Sequence, residues 1–207
     1  MLALTLISTV LTATAYALPS LQGRQSSNPC AGVGGLSVTD NASNFTLAAL
    51  NTTLSNSNSS GAPLLLAGTT TGNVPQTAFL ATYASYPADN LPGPEFSLQY
   101  GALVPQQGND LVAYDLSVSA GSGLGWQVIY PNDLQKIGAE IYCIQDDGAP
   151  SGLQHGVLAV NGDTSDFSLC TTTSTPSLNQ VIWKATEDND DQYDYNSCYA
   201  VRLQIIY

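Results

Sequence analysis

Basic residues are scarce: Arg24, Lys136, Lys184 and Arg202 are the only four, and they face sixteen acidic residues for a formal net charge of −12. Such an excess repels phosphate backbones and anionic lipid, which argues against nucleic-acid binding and electrostatic membrane binding. Charged residues of both signs make up only 10% of the 207 residues, against roughly a quarter in an average globular protein. Neutral Ser, Thr, Asn and Gly carry the polarity instead. Histidine is nearly absent. The single His155 lies in Ser151-Gly-Leu-Gln-His155-Gly, no Gly-x-Ser-x-Gly elbow is present, and a serine hydrolase centre therefore has no candidate. A histidine in a Gly-rich turn reads as solvent-exposed rather than catalytic. Beyond the first residues no segment approaches the roughly 20 apolar residues that a spanning helix requires. The chain ends in Arg202-Leu-Gln-Ile-Ile-Tyr207 without the spacer and hydrophobic tail of a lipid-anchor signal, so the mature protein is expected to be soluble, with no membrane partner.

The amino-terminal residues supply an address. Leu2 to Leu11 form a short apolar stretch leading into Ala15-Tyr16-Ala17, the small-x-small pattern cut by signal peptidase. Residues 1–17 are read as a signal peptide, and 18–29 as a short pro-segment or disordered leader in which Arg24 is a candidate second processing point. Residues 30–207 are then one all-β domain, long enough for a proper core and too short for two. The address is repeated by four glycosylation acceptors within twenty residues: Asn41-Ala-Ser43, Asn44-Phe-Thr46, Asn51-Thr-Thr53 and Asn58-Ser-Ser60. Asn41 and Asn44 are too close for efficient modification of both, so two or three glycans are expected. All four are expected on one edge of the domain, which places any binding surface elsewhere.

The four cysteines, Cys30, Cys143, Cys170 and Cys198, all follow the signal. An even count in an exported chain reads as two disulfides. No close Cys-x-x-Cys pair exists, and one histidine cannot complete a zinc site, so neither metal nor cofactor is expected. Three pairings are open; we favour Cys170 with Cys198, leaving Cys30 to tie the mature amino terminus to Cys143.

Strand patterns run almost throughout. Tyr199, Val201, Leu203, Ile205 and Tyr207 alternate with Ala200, Arg202, Gln204 and Ile206, the period of a strand with one buried face. Val112, Tyr114, Leu116 and Val118 alternate with Ala113, Asp115, Ser117 and Ser119, and after the Gly121-Ser-Gly123 turn Trp126, Val128 and Tyr130 complete a hairpin. Further strands are expected at 45–50, 64–67, 78–83, 95–100, 140–144, 157–160, 167–170 and 181–185, with one helical turn near 132–137. About eleven strands between Gly, Pro and Asn turns imply an all-β fold, a compact antiparallel sandwich or barrel. The recurrence of Asn44-Phe-Thr-Leu47, Glu95-Phe-Ser-Leu98 and Asp166-Phe-Ser-Leu169 makes a β-trefoil the alternative.

Phe45-Thr-Leu-Ala-Ala-Leu50, Ala62-Pro-Leu-Leu-Leu66 and Thr82-Tyr-Ala-Ser-Tyr-Pro87 resemble a family of small secreted glycoproteins from mushroom-forming fungi. Phe167-Ser-Leu-Cys170, Asn179-Gln-Val-Ile-Trp183 and Tyr195-Asn-Ser-Cys198-Tyr199 resemble that family's ending and, more distantly, the phialide-associated cell-wall proteins of filamentous fungi. The first likeness covers most of the mature chain, the second mainly the last forty residues. The resemblance implies a fungal extracellular or wall-associated glycoprotein with no catalytic residues to carry over, and it supports pairing Cys170 with Cys198.

Other chemistry has thin support. Glycoside hydrolysis needs only two carboxylates at a set separation, and Asp110, Asp115, Asp163 and Asp166 are the acids on offer; acids at strand ends and turns are ordinarily solvated. The run Glu187 to Asn196 is oxygen-rich but lacks the Gly and closing Glu of a calcium loop, and reads as a solvated acidic loop. Tyr83, Tyr86, Tyr193 and Tyr195 are rings that would stack on sugars if exposed, or pack at strand edges with the hydroxyl wet. The leading expectation is a secreted, noncatalytic extracellular or wall glycoprotein, monomeric, with cell-wall polysaccharide as the candidate partner. A lectin-like module and a small glycoside hydrolase using paired carboxylates are the alternatives.

Overall fold

A computed structural model describes residues 28–35, 37–68, 76–86, 95–106, 112–129, 138–146 and 156–207. Residues 1–17, read as a signal peptide, together with Arg24, Asp110, Lys136, the helical turn expected near 132–137 and His155, lie outside them. Among the described residues thirteen strands follow in chain order: β1 (Val38–Thr39), β2 (Ala42–Asn51), β3 (Ala62–Gly68), β4 (Gln76–Thr82), β5 (Phe96–Gln99), β6 (Ala102–Pro105), β7 (Val112–Asp115), β8 (Gly125–Ile129), β9 (Tyr142–Asp146), β10 (Gly156–Val160), β11 (Phe167–Thr172), β12 (Asn179–Trp183) and β13 (Tyr193–Ile206). The eleven expected strands are among them. The two additions, β1 and β6, are short segments without a period-two signature.

Six strands close a barrel, in the order β2, β3, β4, β12, β11, β13 and back to β2, with every pairing antiparallel. Closure follows from β13, fourteen residues long, which pairs with β11 through its first part and with β2 through its second. Residues opposite each other in an antiparallel pair share a face. The register therefore turns Phe45, Leu47 and Ala49 of β2, Leu64 of β3, Leu80 of β4, Val181 of β12, Phe167 and Leu169 of β11, and Val201, Leu203 and Ile205 of β13 into one continuous core. This is the alternation expected of the carboxyl-terminal run.

The remaining strands extend the barrel. The β5–β6 hairpin pairs with the start of β2, the β7–β8 ribbon joins β4, and β9, β10 and β1 continue from β13. They bring large rings to one barrel end, where Phe45 and Phe96 stack with centroids 6.3 Å apart and Phe96 meets Trp126 at 6.2 Å. The trefoil alternative does not survive this topology. A threefold axis would make the three Phe-x-Leu segments equivalent, yet Phe45 and Phe96 are direct cross-strand partners while Phe167 faces Trp183 and Val201.

Both favoured disulfides are present, with Cα–Cα separations of 5.2 Å for Cys30–Cys143 and 4.1 Å for Cys170–Cys198. The first bridges 113 residues and fastens the amino-terminal segment to β9. The second bridges 28 residues and spans the irregularity at which β13 shifts register against β11. In the chain-entropy account, loops of these sizes correspond to about 5 and about 4 kcal/mol.

Candidate functional site

The four acceptor asparagines flank β2 rather than share an edge. Asn41 and Asn44 stand at its amino end, Asn51 is its last residue, and Asn58 lies in the turn to β3. Asn44 and Asn51 are seven steps apart along the strand, or about 23 Å at 3.3 Å per residue. The expectation of a single glycan-bearing edge is thus corrected: it took the sequons as one loop, whereas β2 runs between them. Their side chains also differ. Asn41 Nδ2 donates to Asp40 Oδ1 at 2.7 Å, and its Oδ1 accepts the Tyr100 N–H. Asn44 is exposed, with φ of 55°, at the bulge between β2 and β5. Asn58 Oδ1 accepts the N–H groups of Ser60 and Gly61. Asn51 is the most restrained, because its Oδ1 accepts from Thr53 N–H at 2.9 Å, Thr53 Oγ1 at 3.1 Å and Leu54 N–H at 2.8 Å. Asn56 holds its main chain, taking the Asn51 N–H and donating to the Asn51 carbonyl. With its amide in the orientation that satisfies it, Gln204 of β13 donates to the carbonyls of Ser59 and Ser60, which fastens the turn to the barrel.

Asn51 belongs to the barrel end opposite the aromatic one. The carboxyl ends of β2, β4 and β11 meet there with the amino ends of β3 and β12 and with β13 at Tyr199 and Ala200. Its rim is polar and rich in hydroxyls and amides, with one acid, Asp194 of β13, opposite Thr171. Asn179 N–H donates to Ser85 Oγ, Thr171 Oγ1 to Asn179 Oδ1, Thr171 N–H to Ser197 Oγ, and Thr82 Oγ1 to Ser85 Oγ. Tyr83, 57% exposed, and Tyr199, 37% exposed, stand at β4 and β13, three strands apart in either direction around the six.

Of the acids named from sequence, the structure brings Asp163 and Asp166 together in the turn between β10 and β11. Both approach Lys184 Nζ, at 3.7 and 3.6 Å, and that ammonium lies 4.6 Å over the Trp183 ring. The two carboxyls hydrogen-bond to each other. That contact, with the charge of Asp163 and some burial, holds Asp166 above the usual carboxylate range against the pull of Lys184. Burial would raise Asp163 as well, but the Ser165 N–H and hydroxyl, Asp166 and Lys184 outweigh it and leave it low. Carboxyls in mutual contact leave no room for a glycosidic oxygen between them, which needs a separation of about 5 Å or more.

Asp115 is not solvated, contrary to the sequence reading. It is 2% exposed, and Ala113 and Asp115 rather than Tyr114 form the inward face of β7. Asp115 Oδ2 accepts the Leu103 N–H at 3.1 Å, while among the described residues neither Oδ1 nor the fully buried Tyr142 hydroxyl has a hydrogen-bond partner. Burial pushes the carboxyl up to about 7, against the Leu103 N–H and with help from the charge of Glu140. Burial, followed by Asp115 itself, also raises Tyr142 well above the ordinary tyrosine value. Gly138 is required beside this carboxyl, since a Cβ there would overlap Asp115 Oδ1.

The tyrosines divide. Tyr83 and Tyr195 are exposed; Tyr86 packs on Leu65, Ala67 and Ala81 and donates to the Gly68 carbonyl; Tyr193, only 3% exposed, bonds through its hydroxyl to Thr186 N–H and C=O. The acidic run makes a turn through Asp190 and Asp191, both at positive φ and both exposed, held by Asn189. Among the described residues no three His, Cys, Asp or Glu side chains converge to hold a metal ion. No helix among them is long and apolar enough to cross a membrane. Sequence reasoning missed Lys184 as the partner of two acids, Gln204 as the anchor of the turn that carries Asn58, and the Asp115–Tyr142 environment. Only the position of Asp115 inside an alternating strand hinted at the last. Comparison of the chain with protein families, curated proteins and solved structures returns no match.

Proposed function

We infer that this chain is a secreted, noncatalytic glycoprotein of the extracellular space or fungal cell wall. The observation that carries the reading is the cysteine accounting: all four are consumed in two disulfides, one between barrel strands β11 and β13 and one fastening the amino-terminal segment to β9, and no free thiol remains. Such bridges persist in oxidising compartments and are rare in the cytosol. Sequons at strand ends and in an exposed turn fit the same route. The barrel supplies rigidity, and a low charge density with neutral polar side chains suits a hydrated polysaccharide environment. Fractionation of the native protein among medium, wall and cytosol tests this: recovery from medium or wall is expected, and recovery from cytosol alone contradicts it.

A second reading, carbohydrate binding, is favoured by the hydroxyl- and amide-rich rim between Tyr83 and Tyr199. Exposed rings stack on the apolar faces of sugars, and uncharged donors and acceptors serve their hydroxyls. Retention on chitin or β-glucan that is lost in Tyr83→Ala supports it; no retention by the unaltered protein removes it.

A further inference from the structure

We propose that the glycan on Asn51 lays its first sugar on the Tyr199 ring and closes this end of the barrel, so that the sugar is a structural part of the fold. The proposal rests on the secreted-glycoprotein reading. Asn51 faces Val201 across the β2–β13 pair, and Thr52 continues the register by giving both its N–H and its Oγ1 to the Ala200 carbonyl. Tyr199 is therefore the diagonal neighbour of Asn51 on the same face, a separation of about 7 Å that an aromatic side chain spans. Its ring shares a face with Leu169 and Val201, yet remains 37% exposed because the chain turns away at Thr53, where a strand partner would have covered it.

The acceptor amide is oriented as well as close. Three donors from Thr53 and Leu54 converge on Asn51 Oδ1, and two bonds from Asn56 fix the main chain beneath it. Nδ2 is the atom left over. Glycosylation forms a bond from this nitrogen to the anomeric carbon of a lipid-linked oligosaccharide; the nitrogen loses one proton and the lipid diphosphate leaves. A glycan leaving an amide so restrained has a set direction, whereas a sugar on Asn58 starts from the middle of a turn. An N-acetylglucosamine presents C–H bonds on one face and hydroxyls on its edges, and a half-exposed tyrosine offers the matching apolar ring with a wet tip.

The test uses a secreted chain carrying Asn41→Gln, Asn44→Gln and Asn58→Gln, so that Asn51 is the sole acceptor among these four. Melting is measured with the intact glycan, after trimming by an endoglycosidase to one N-acetylglucosamine, and after complete removal by a peptide N-glycosidase. The expected result is no change on trimming and a fall of about 3 °C on complete removal. Complete removal leaves aspartate at 51, whose oxygens still accept the same N–H groups, and Tyr199→Val undergoes that change too, so it serves as the control. In Tyr199→Val the fall on removal shrinks below about 1 °C, and in Tyr199→Phe, which keeps the ring, it is retained. An equal fall in Tyr199→Val and the parent overturns the proposal, as does no fall in the parent. Asn51 found bare while Asn44 or Asn58 is occupied overturns it and leaves the secreted reading standing. A native chain with no glycan on any of the four overturns both.

Discussion

Asp115 and Trp126 are cross-strand partners in the β7–β8 ribbon, and between them they take both main-chain polar groups of Leu103. Asp115 Oδ2 accepts its N–H at 3.1 Å, and Trp126 Nε1 donates to its carbonyl at 2.8 Å. Leu103 lies on β6, which among the described residues pairs only with β5, so this clamp satisfies main-chain groups at a buried edge.

The clamp carries a pH dependence. The folded state holds the Asp115 proton up to about pH 7, whereas the unfolded chain releases it near 3.8. The stabilisation is therefore complete below pH 4 and is lost as pH rises through 7, by about 4 kcal/mol. Urea unfolding at pH 4 and pH 8 is expected to show lower stability at the higher pH, and Asp115→Asn is expected to remove most of the difference. An unchanged slope in Asp115→Asn contradicts the assignment.

Trp126→Phe keeps a ring in the core but deprives the Leu103 carbonyl of its donor. A cost of about 2 to 4 kcal/mol is expected from the orphaned acceptor and the lost volume, measured by denaturant titration. A change below 0.5 kcal/mol would show that the carbonyl has another partner.

Gln204→Leu is expected to release the 51–61 turn with little effect on the barrel core. Hydrogen exchange should accelerate there and stay slow in β11 and β12; uniform acceleration would show that Gln204 acts on the whole fold instead.

Replacing Cys170 and Cys198 together by alanine is expected to cost about 2 to 4 kcal/mol and to loosen β13 around Tyr195 to Tyr199 first. Loss of the Cys30–Cys143 bridge should instead free the amino-terminal segment.

Most strands were legible because period-two alternation reports a one-sided core directly, as Val201, Leu203 and Ile205 show. The cysteine pairing was legible as a preference. The barrel itself was not, since closure depends on β13 pairing with two different strands along its length, a long-range choice without a local signature. In β7 the alternation does not disclose that the face carrying Asp115 is the buried one. Four residues of weak alternation set the face less firmly than the pull of the Leu103 N–H and the cross-strand Trp126. The chemistry followed the same division: sequons are written in sequence, but that Asn51 stands beside Tyr199 while Asn41 is tied to Asp40 depends on register.

Peptide mapping of the native protein without reduction decides whether the chain is an exported, disulfide-bridged glycoprotein. A chain beginning at or after Leu18 is expected, with linked peptides for Cys30–Cys143 and Cys170–Cys198 and N-acetylhexosamine on two or three of Asn41, Asn44, Asn51 and Asn58. A chain that retains Met1, with four free thiols and four bare asparagines, contradicts it.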